Sequence, residues 1–297
     1  MKQRASQNRT IFLTDVEKRR YRERLGRGLR YGDAFDVLRT LDPGSVDLLF
    51  ADPPYNLSKR FGKESFIQAR SDVYEAWLHS WLELCVPLLK RTASVYICGD
   101  WRSGSAIERA ASRYFKLRNR ITWEREKGRG AKANWKNASE DIWFFTVSDE
   151  FTFNVDAVKQ RRRVLAPYRE NGKPKDWEET GSGNFRDTHA SNLWTDITVP
   201  FWSMPENTDH PTQKPEKLLA KIILASTDPN DLILDPFSGS GTTAVAAKKL
   251  GRRYLAIESD EEFCLLAAKR LEAAEECRSI QGFQDGVFWE RNSLPAR

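Results

Sequence analysis

The run Val46-Asp47-Leu48-Leu49-Phe50-Ala51, followed at once by Asp52-Pro53-Pro54-Tyr55, constrains this chain more than any other stretch. The first six residues are apolar apart from Asp47, which fits a short strand buried on both faces of a parallel sheet. Proline cannot donate to a strand ladder, so the strand must end at Asp52. In open α/β sheets ligands bind beyond the carboxyl ends of the strands, which is where Asp52-Pro53-Pro54-Tyr55 falls. The chemistry these residues suit is narrow. A carboxylate accepts hydrogen bonds, and a Pro-Pro backbone presents stiffly held carbonyls with no N–H at either ring. Tyr55 adds a flat face for stacking. Together they would grip a planar ring bearing an exocyclic NH2, an adenine or a cytosine. The alternative is a Pro-rich turn with a tyrosine in the core.

On either side of this stretch strands alternate with helical spacing. Leu29-Arg30-Tyr31 reads as a short strand, and Phe35, Val37, Leu38 and Leu41 give a helical face over 33–41. Trp77, Leu78, Trp81, Leu82, Cys85, Leu88 and Leu89 share one face of a helix that Pro87 should kink or end. Strands follow at 94–99, 116–123 and 141–146, with a helix over 103–115. This alternation is an α/β signature. From 151 to 209 the periodicity fails. Roughly sixty residues without it is long for a compact domain and points to a functional insertion, with a packing loop as the plain alternative. Order returns at His210-Pro211-Thr212-Gln213-Lys214-Pro215. A helix over 216–226, a buried strand at 232–234, a helix running to about 250, a strand at 253–257 and an amphipathic helix over 261–275 follow. The tail from Cys277 carries no strong signal.

The 232–234 strand ends in Asp235-Pro236-Phe237-Ser238-Gly239-Ser240-Gly241-Thr242-Thr243. Strand, Gly-X-Gly turn and helix make a nucleotide-binding arrangement, in which small residues let the backbone approach the ligand. Glu258, at the end of the next strand, is placed to take two ribose hydroxyls. There is no lysine before the hydroxyl residues, so this is not a P-loop, and the third glycine of the dinucleotide fingerprint is missing. S-adenosylmethionine is the other cofactor that uses such a turn with a strand-end acid.

Composition narrows the partners. The net charge of +6 over 297 residues permits a polyanion. Four cysteines without CxxC spacing or a nearby His argue against structural zinc and for reduced thiols in the cytoplasm. No metal site is expected. No apolar run reaches the roughly 18 residues that signal a membrane span, and the polar, basic first thirty or so residues lack the core of a signal peptide. Basic residues cluster beside aromatics, as nucleic-acid contact requires. The groups in question are Lys59 and Arg60, then Arg125, Lys127, Arg129 and Lys132, and then Arg161, Arg162 and Arg163. The run Lys18-Arg19-Arg20-Tyr21-Arg22 is a solvated face or a phosphate contact.

Taken jointly and in this order, DPPYNLS at 52–58, HPTQKP at 210–215 and DPFSGSGTT at 235–243 resemble the β-class amino-group DNA methyltransferases, adenine-N6 and cytosine-N4. The likeness is greatest to the MboII- and DpnII-type adenine enzymes. It covers most of residues 29–275. It implies a seven-stranded, mostly parallel sheet with one antiparallel strand, helices on both faces, and a permuted order in which strand 46–51 packs beside strand 232–234. It divides the chain into a basic arm (1–28), a catalytic half (29–150), an irregular insertion for target recognition (151–209), a cofactor half (210–276) and a tail (277–297).

The resemblance also implies roles. S-adenosylmethionine would lie on Asp235, Phe237, Ser238, Gly239 and Gly241, its methionine carboxylate near Ser240, Thr242 and Lys214. Its ribose would lie on Glu258 and its adenine near Asp33, Ala34 and Phe35. Asp52, with Pro53, Pro54 and Tyr55, would take the target amine of a base flipped from duplex DNA, with Trp123 as a second stacking residue. Asp at position 52, where the cytosine enzymes often carry Ser, favours adenine. Cytosine-N4 is the alternative, and a degenerate methylase fold that only binds nucleic acid is the alternative of a different class. A homodimer is favoured without being required, and a cognate restriction endonuclease, if one exists, would not form a stable complex.

Overall fold

The computed structural model describes residues 10–26, 28–57, 59–61, 64–66, 68–125, 133–164, 168–181 and 183–290, with only the backbone considered at 59–61 and 64–66. Strands β1 (Leu29–Tyr31), β2 (Val46–Ala51), β3 (Leu89–Gly99), β4 (Lys116–Glu124), β5 (Ser139–Thr146), β6 (Leu193–Trp194), β7 (Leu232–Asp235) and β8 (Arg253–Glu258) form one sheet. Their order across it is β1-β8-β7-β2-β3-β5-β4-β6. Every pairing is parallel except the two made by β5. The single antiparallel strand matches expectation, and so does the permuted neighbour, Leu48 and Leu49 of β2 lying in register with Ile233 and Leu234 of β7. The strand count is eight rather than seven. The extra strand, β6, is a two-residue edge pinned by the burial of Trp194.

Helices α1 (Asp15–Arg22), α2 (Ala34–Leu38), α3 (Ser71–Cys85), α4 (Gly104–Ala111), α5 (Glu216–Ser226), α6 (Thr242–Lys249) and α7 (Glu261–Glu276) accompany this sheet. The alternation of side chains along β2 decides what it meets. Leu49 and Ala51 pack with Leu78, Trp81 and Leu82 of α3 and with Ala106 and Ile107 of α4. Leu48 and Phe50 point the other way, into a cluster with Leu218, Leu219, Ile222 and Ile223 of α5. Both faces of β2 are therefore dry, which is why its sequence is a continuous apolar run. Pro87 acts as expected, since α3 stops at Cys85 and passes through a 3₁₀ turn, Val86–Leu88, into β3. Helix α5 is buried nearly all round. Lys217 and Lys221 are tolerated there because the Asp196 carboxylate lies 2.7 and 2.8 Å from their ammonium groups.

The segment expected to be irregular is a second sheet. Its strands run in the order Glu178–Thr180, Gly183–Thr188, Gln160–Arg163, Val287–Trp289 and Phe283–Gln284. The tail, which carries no strong signal in sequence, thus supplies two of its five strands. Phe185 meets Trp289 edge to face at 5.3 Å, and Phe288 is buried against α5 with Val158 and Ile280. These strands are too short and too charged for a period of two to be visible in sequence, and their pairing partners lie far apart along the chain.

The described residues of the basic arm are also structured. Thr14 and Glu17 form a reciprocal capping box at the start of α1, and the helix lies along the acidic face of α7. Lys18 pairs with Glu262, Arg20 and Arg24 with Glu272, Arg22 with Glu261 and Lys269 with Glu17. The run is a solvated face matched to an opposite charge, with Lys18, Arg20 and Arg22 paired to acids of α7. Among the described residues no helix is long and apolar enough to cross a membrane.

Candidate active site

Strands β2 and β7 are neighbours and parallel, so their carboxyl ends open side by side into one cavity of about 1040 Å³. Of the residues assigned to catalysis or cofactor in the sequence, all but Gly241 line it: Asp33, Ala34 and Phe35; Asp52 to Tyr55; Lys214; Asp235, Phe237 to Ser240 and Thr242; and Glu258.

At the β2 end, Tyr55 donates its hydroxyl to Asp52 Oδ1 at 2.9 Å. Burial and the Asp52 charge push the Tyr55 phenol up, so the donor keeps its proton. The Pro54 carbonyl accepts from Tyr74 Oη at 3.0 Å, which leaves the Pro53 carbonyl as the backbone acceptor beside Asp52. Lys214 joins this cluster. Its ammonium is 2.5 Å from Asp52 Oδ2, 3.2 Å from Tyr55 Oη and 3.4 Å from Glu140 Oε2, so three oxygens face its three donors. Burial opposes its charge, but Asp52 and Glu140 outweigh that and hold Lys214 above the ordinary lysine range. The nearest negative charges to this cation are Asp52 and Glu140.

At the β7 end, the glycine turn is held from several sides. Gly239 and Gly241 have φ of +53° and +76°, in the left-handed region where glycine carries no penalty. A Cβ on Gly239 would sit 2.8 Å from His210 Nε2, so the His210 ring closes over the turn, itself edge-on to Phe263 at 4.4 Å. Asp235 accepts from Phe237 N at 3.0 Å and from Thr243 Oγ1 at 2.5 Å, and burial pushes its carboxyl up to about 7. Phe237 is wedged against Trp81 and Trp77. Glu258 accepts from Gly239 N at 2.7 Å and Asp260 N at 2.8 Å. Asp33 caps α2, accepting from Phe35 N at 2.8 Å. The Ser238 hydroxyl is buried and has no hydrogen-bond partner among the described residues. An orphaned donor beside a turn that cradles ligands fits a cofactor with polar groups.

Two residues of this site were missed in the sequence. Arg270 reaches from α7 to donate to Ser240 O at 2.8 Å and Thr242 Oγ1 at 3.0 Å, and it pairs with Glu216 at 3.1 Å. A charge on the apolar stripe of an amphipathic helix was the available signal. Glu140, on β5, faces Lys214 and also pairs with Arg125; nothing in its neighbourhood in the chain marks it.

The expected DNA contacts fare unevenly. Trp123 is 1% exposed and donates its Nε1 to Ile197 O at 2.9 Å. It is a core residue and presents no face for stacking. Arg161 forks onto Asp187 at 2.7 Å through two nitrogens and lies over Trp289, so it holds the second sheet together. Arg162 is half-buried beside Gln160 at 3.2 Å, and Arg163 is exposed. Arg125 lines the cavity. Lys127, Arg129 and Lys132, with the side chains of Lys59 and Arg60, lie outside the described residues.

The loop before His210 carries its own ionisable group. Glu206 is buried and accepts from Glu216 N at 2.7 Å; burial and the Glu216 charge push it up from 4.5 to about 7. A folded-state value above the unfolded one means that its stabilising share is complete below the unfolded value and is lost as the pH rises through 7. Glu206→Gln is therefore expected to leave the melting temperature nearly unchanged at pH 5 and to raise it by about 2–4 °C at pH 8. Equal shifts at both pH values in thermal melts would contradict this.

A doubly wound sheet that opens an Asp-Pro-Pro-Tyr turn and a glycine turn into one crevice defines a cofactor-binding α/β enzyme class. A family model described as DNA methylase matches residues 46–269, and the chain belongs to that family of N6 and N4 enzymes. The DNA adenine methyltransferase YhdJ of Escherichia coli (strain K12) is 34% identical over 279 residues, 89% of this chain and 90% of its own. The type II methyltransferase M2.DpnII of Streptococcus pneumoniae is 33% identical over 267 residues, 84% of this chain and 90% of its own. The crystal structure of an M1.HpyAVI–SAM complex shares the fold, with a TM-score of 0.52 at 22% identity over 82% of this chain and 97% of that one.

Proposed function

We propose that this DNA methylase transfers a methyl group from S-adenosylmethionine to the exocyclic N6 of an adenine flipped out of duplex DNA. What carries the reading is the meeting, in one cavity, of the Asp52 and Pro53 acceptors with the glycine turn. The adenine choice is supported by the two relatives named above and by Asp rather than Ser at position 52.

When bound, the cofactor supplies an electrophilic methyl group; the chain orients and desolvates. Glu258 takes hydroxyls, Ser238 offers its hydroxyl, and Phe237 and Ala34 supply apolar wall. The amine of a nucleobase is a poor nucleophile, because its lone pair is delocalised into the ring. Hydrogen bonds from its two N–H groups to the Asp52 carboxylate and the Pro53 carbonyl localise that pair on nitrogen. They also stabilise the positive charge that develops there, so the interaction strengthens toward the transition state. Tyr55 orients the Asp52 carboxylate through its hydroxyl and lines the slot for the base. Flipping the base costs a few kcal/mol, repaid by this pocket and by phosphate contacts from exposed cations such as Lys136 and Arg163. The four free thiols suit a reducing cytoplasm.

The test is incubation with labelled S-adenosylmethionine and mixed-sequence duplex DNA, digestion to nucleosides and mass spectrometry. N6-methyladenine is the expected product. N4-methylcytosine would keep the mechanism and overturn the base. Measurable cofactor binding with no product from DNA would overturn the substrate.

A further inference from the structure

Four charges form a chain across the floor of the cavity: Arg125, Glu140, Lys214 and Asp52. Glu140 is 4% exposed. Its Oε1 is bonded to Arg125, whereas its Oε2 lies 3.4 Å from the Lys214 ammonium and has no hydrogen-bond partner among the described residues. A buried carboxylate oxygen left one short step from an ammonium is a bridge not yet made. On the other side each Asp52 oxygen already accepts one hydrogen bond, from Tyr55 on Oδ1 and from Lys214 on Oδ2. A full positive charge at 2.5 Å draws density from the oxygen that an incoming amine needs, and Lys214 lines the same cavity.

We propose that Glu140 is a positioning residue: it is the second seat for the Lys214 ammonium, which leaves Asp52 for Glu140 when DNA draws Arg125 away. The inference rests on the reading of Asp52 as the acceptor of the target amine. In the free protein two carboxylates and two cations balance, and Arg125 satisfies half of Glu140. Arg125 is part-exposed and opens the loop 125–137, whose described residues carry the exposed Lys136. A phosphate near this loop competes for Arg125. Once it has gone, Glu140 holds uncompensated charge in a dry site, where attraction for the neighbouring ammonium is strongest. A swing of the Lys214 side chain that lengthens its 2.5 Å contact with Asp52 Oδ2 beyond hydrogen-bond reach seats the ammonium on Oε2. The Asp52 Oδ2 lone pair then faces the cavity, and the Asp52 carboxylate regains its strength as an acceptor only when DNA is present.

The test uses the full chain under single-turnover conditions with saturating cofactor. Glu140→Gln keeps the shape and removes the charge. It is expected to lower the methylation rate at saturating DNA by about 30- to 100-fold, with cofactor affinity within about twofold of wild type. Because Glu140 acts through Lys214, adding Glu140→Gln to Lys214→Gln should change the rate by less than about twofold. Multiplying effects would overturn the proposal, as would a Glu140→Gln chain that loses DNA affinity at an unchanged saturated rate. A second measurement needs no variant. In a complex of the wild-type chain with DNA and the demethylated cofactor, Lys214 Nζ should lie about 3 Å from Glu140 Oε2 and farther from Asp52. Lys214 still seated on Asp52 beside a flipped base would overturn it. A wild-type chain that methylates no DNA at all is a failure of the function proposed above, not of this step.

Discussion

Asp52→Ala is expected to remove methyl transfer, lowering the single-turnover rate by about 10³-fold or more, while the protein still binds S-adenosylmethionine. The reason is division of labour within one cavity. Asp52 touches Tyr55 and Lys214 at the end of β2. The glycine turn is held by His210, Glu258 and Arg270, none of which depends on Asp52 for a hydrogen bond. Losing the carboxylate removes the acceptor for the amine and leaves Lys214 with Glu140 alone, so the chain stays charge-paired enough to fold. Asp52→Asn should fail as well, because its amide presents donors to an amine that already has two. Calorimetric titration with cofactor and a methylation time course separate the two properties. Full activity in either variant would remove the basis of the mechanism.

Gly241→Ala should act the other way, through the cofactor side and through stability. The added Cβ would lie 2.5 Å from Ala267 Cβ and 3.2 Å from its Cα, on the buried face of α7, at a φ of +76°. A non-glycine residue in the left-handed region costs about 1–2 kcal/mol, and overpacking a tight contact costs about 1–3 kcal/mol more. Relief requires α7 to move away from the turn, which drags Arg270 off Ser240 and Thr242. Cofactor affinity is therefore expected to fall by at least about tenfold together with a loss of about 2–5 kcal/mol in denaturant unfolding. Gly251→Ala is the control. Its φ is +73°, but nothing lies within 4 Å of the added Cβ. It should lose only the backbone share and bind cofactor normally. If Gly241→Ala bound cofactor as the wild type does, the close packing of turn on helix would not matter for the site.

The parts of this molecule that could be read from the chain are those whose physical cause is local. An apolar run closed by two prolines can only be a buried strand with its end exposed, and β2 is that. A Gly-X-Gly turn between strand and helix announces its positive φ values. What could not be read depends on partners distant in sequence. Arg161 looks like a phosphate ligand until Asp187 is brought beside it, and the arm's basic run reads as either a solvated face or a phosphate contact until α7 supplies Glu261, Glu262 and Glu272. Trp123 looked like a stacking face and is a core residue because β6 and Ile197 cover it. Lys214 was legible as a residue of the cavity, but the carboxylates that hold it come from β2 and β5 and could not be read from its own stretch of chain. The second sheet was invisible because its strands are short and its closing pair comes from the tail.

The neighbour relations of β2 carry a consequence for synthesis. Its flank toward β7 stays unpaired until residues 232–235 have left the ribosome, and the Gln160–Arg163 strand waits longer still, for Val287–Trp289. A nascent chain of this order therefore carries a bare, greasy strand edge through most of its translation, the condition under which chains pair with the wrong neighbour. A half-made copy can neither modify DNA nor hold the cofactor, so the cell meets this activity all at once or not at all.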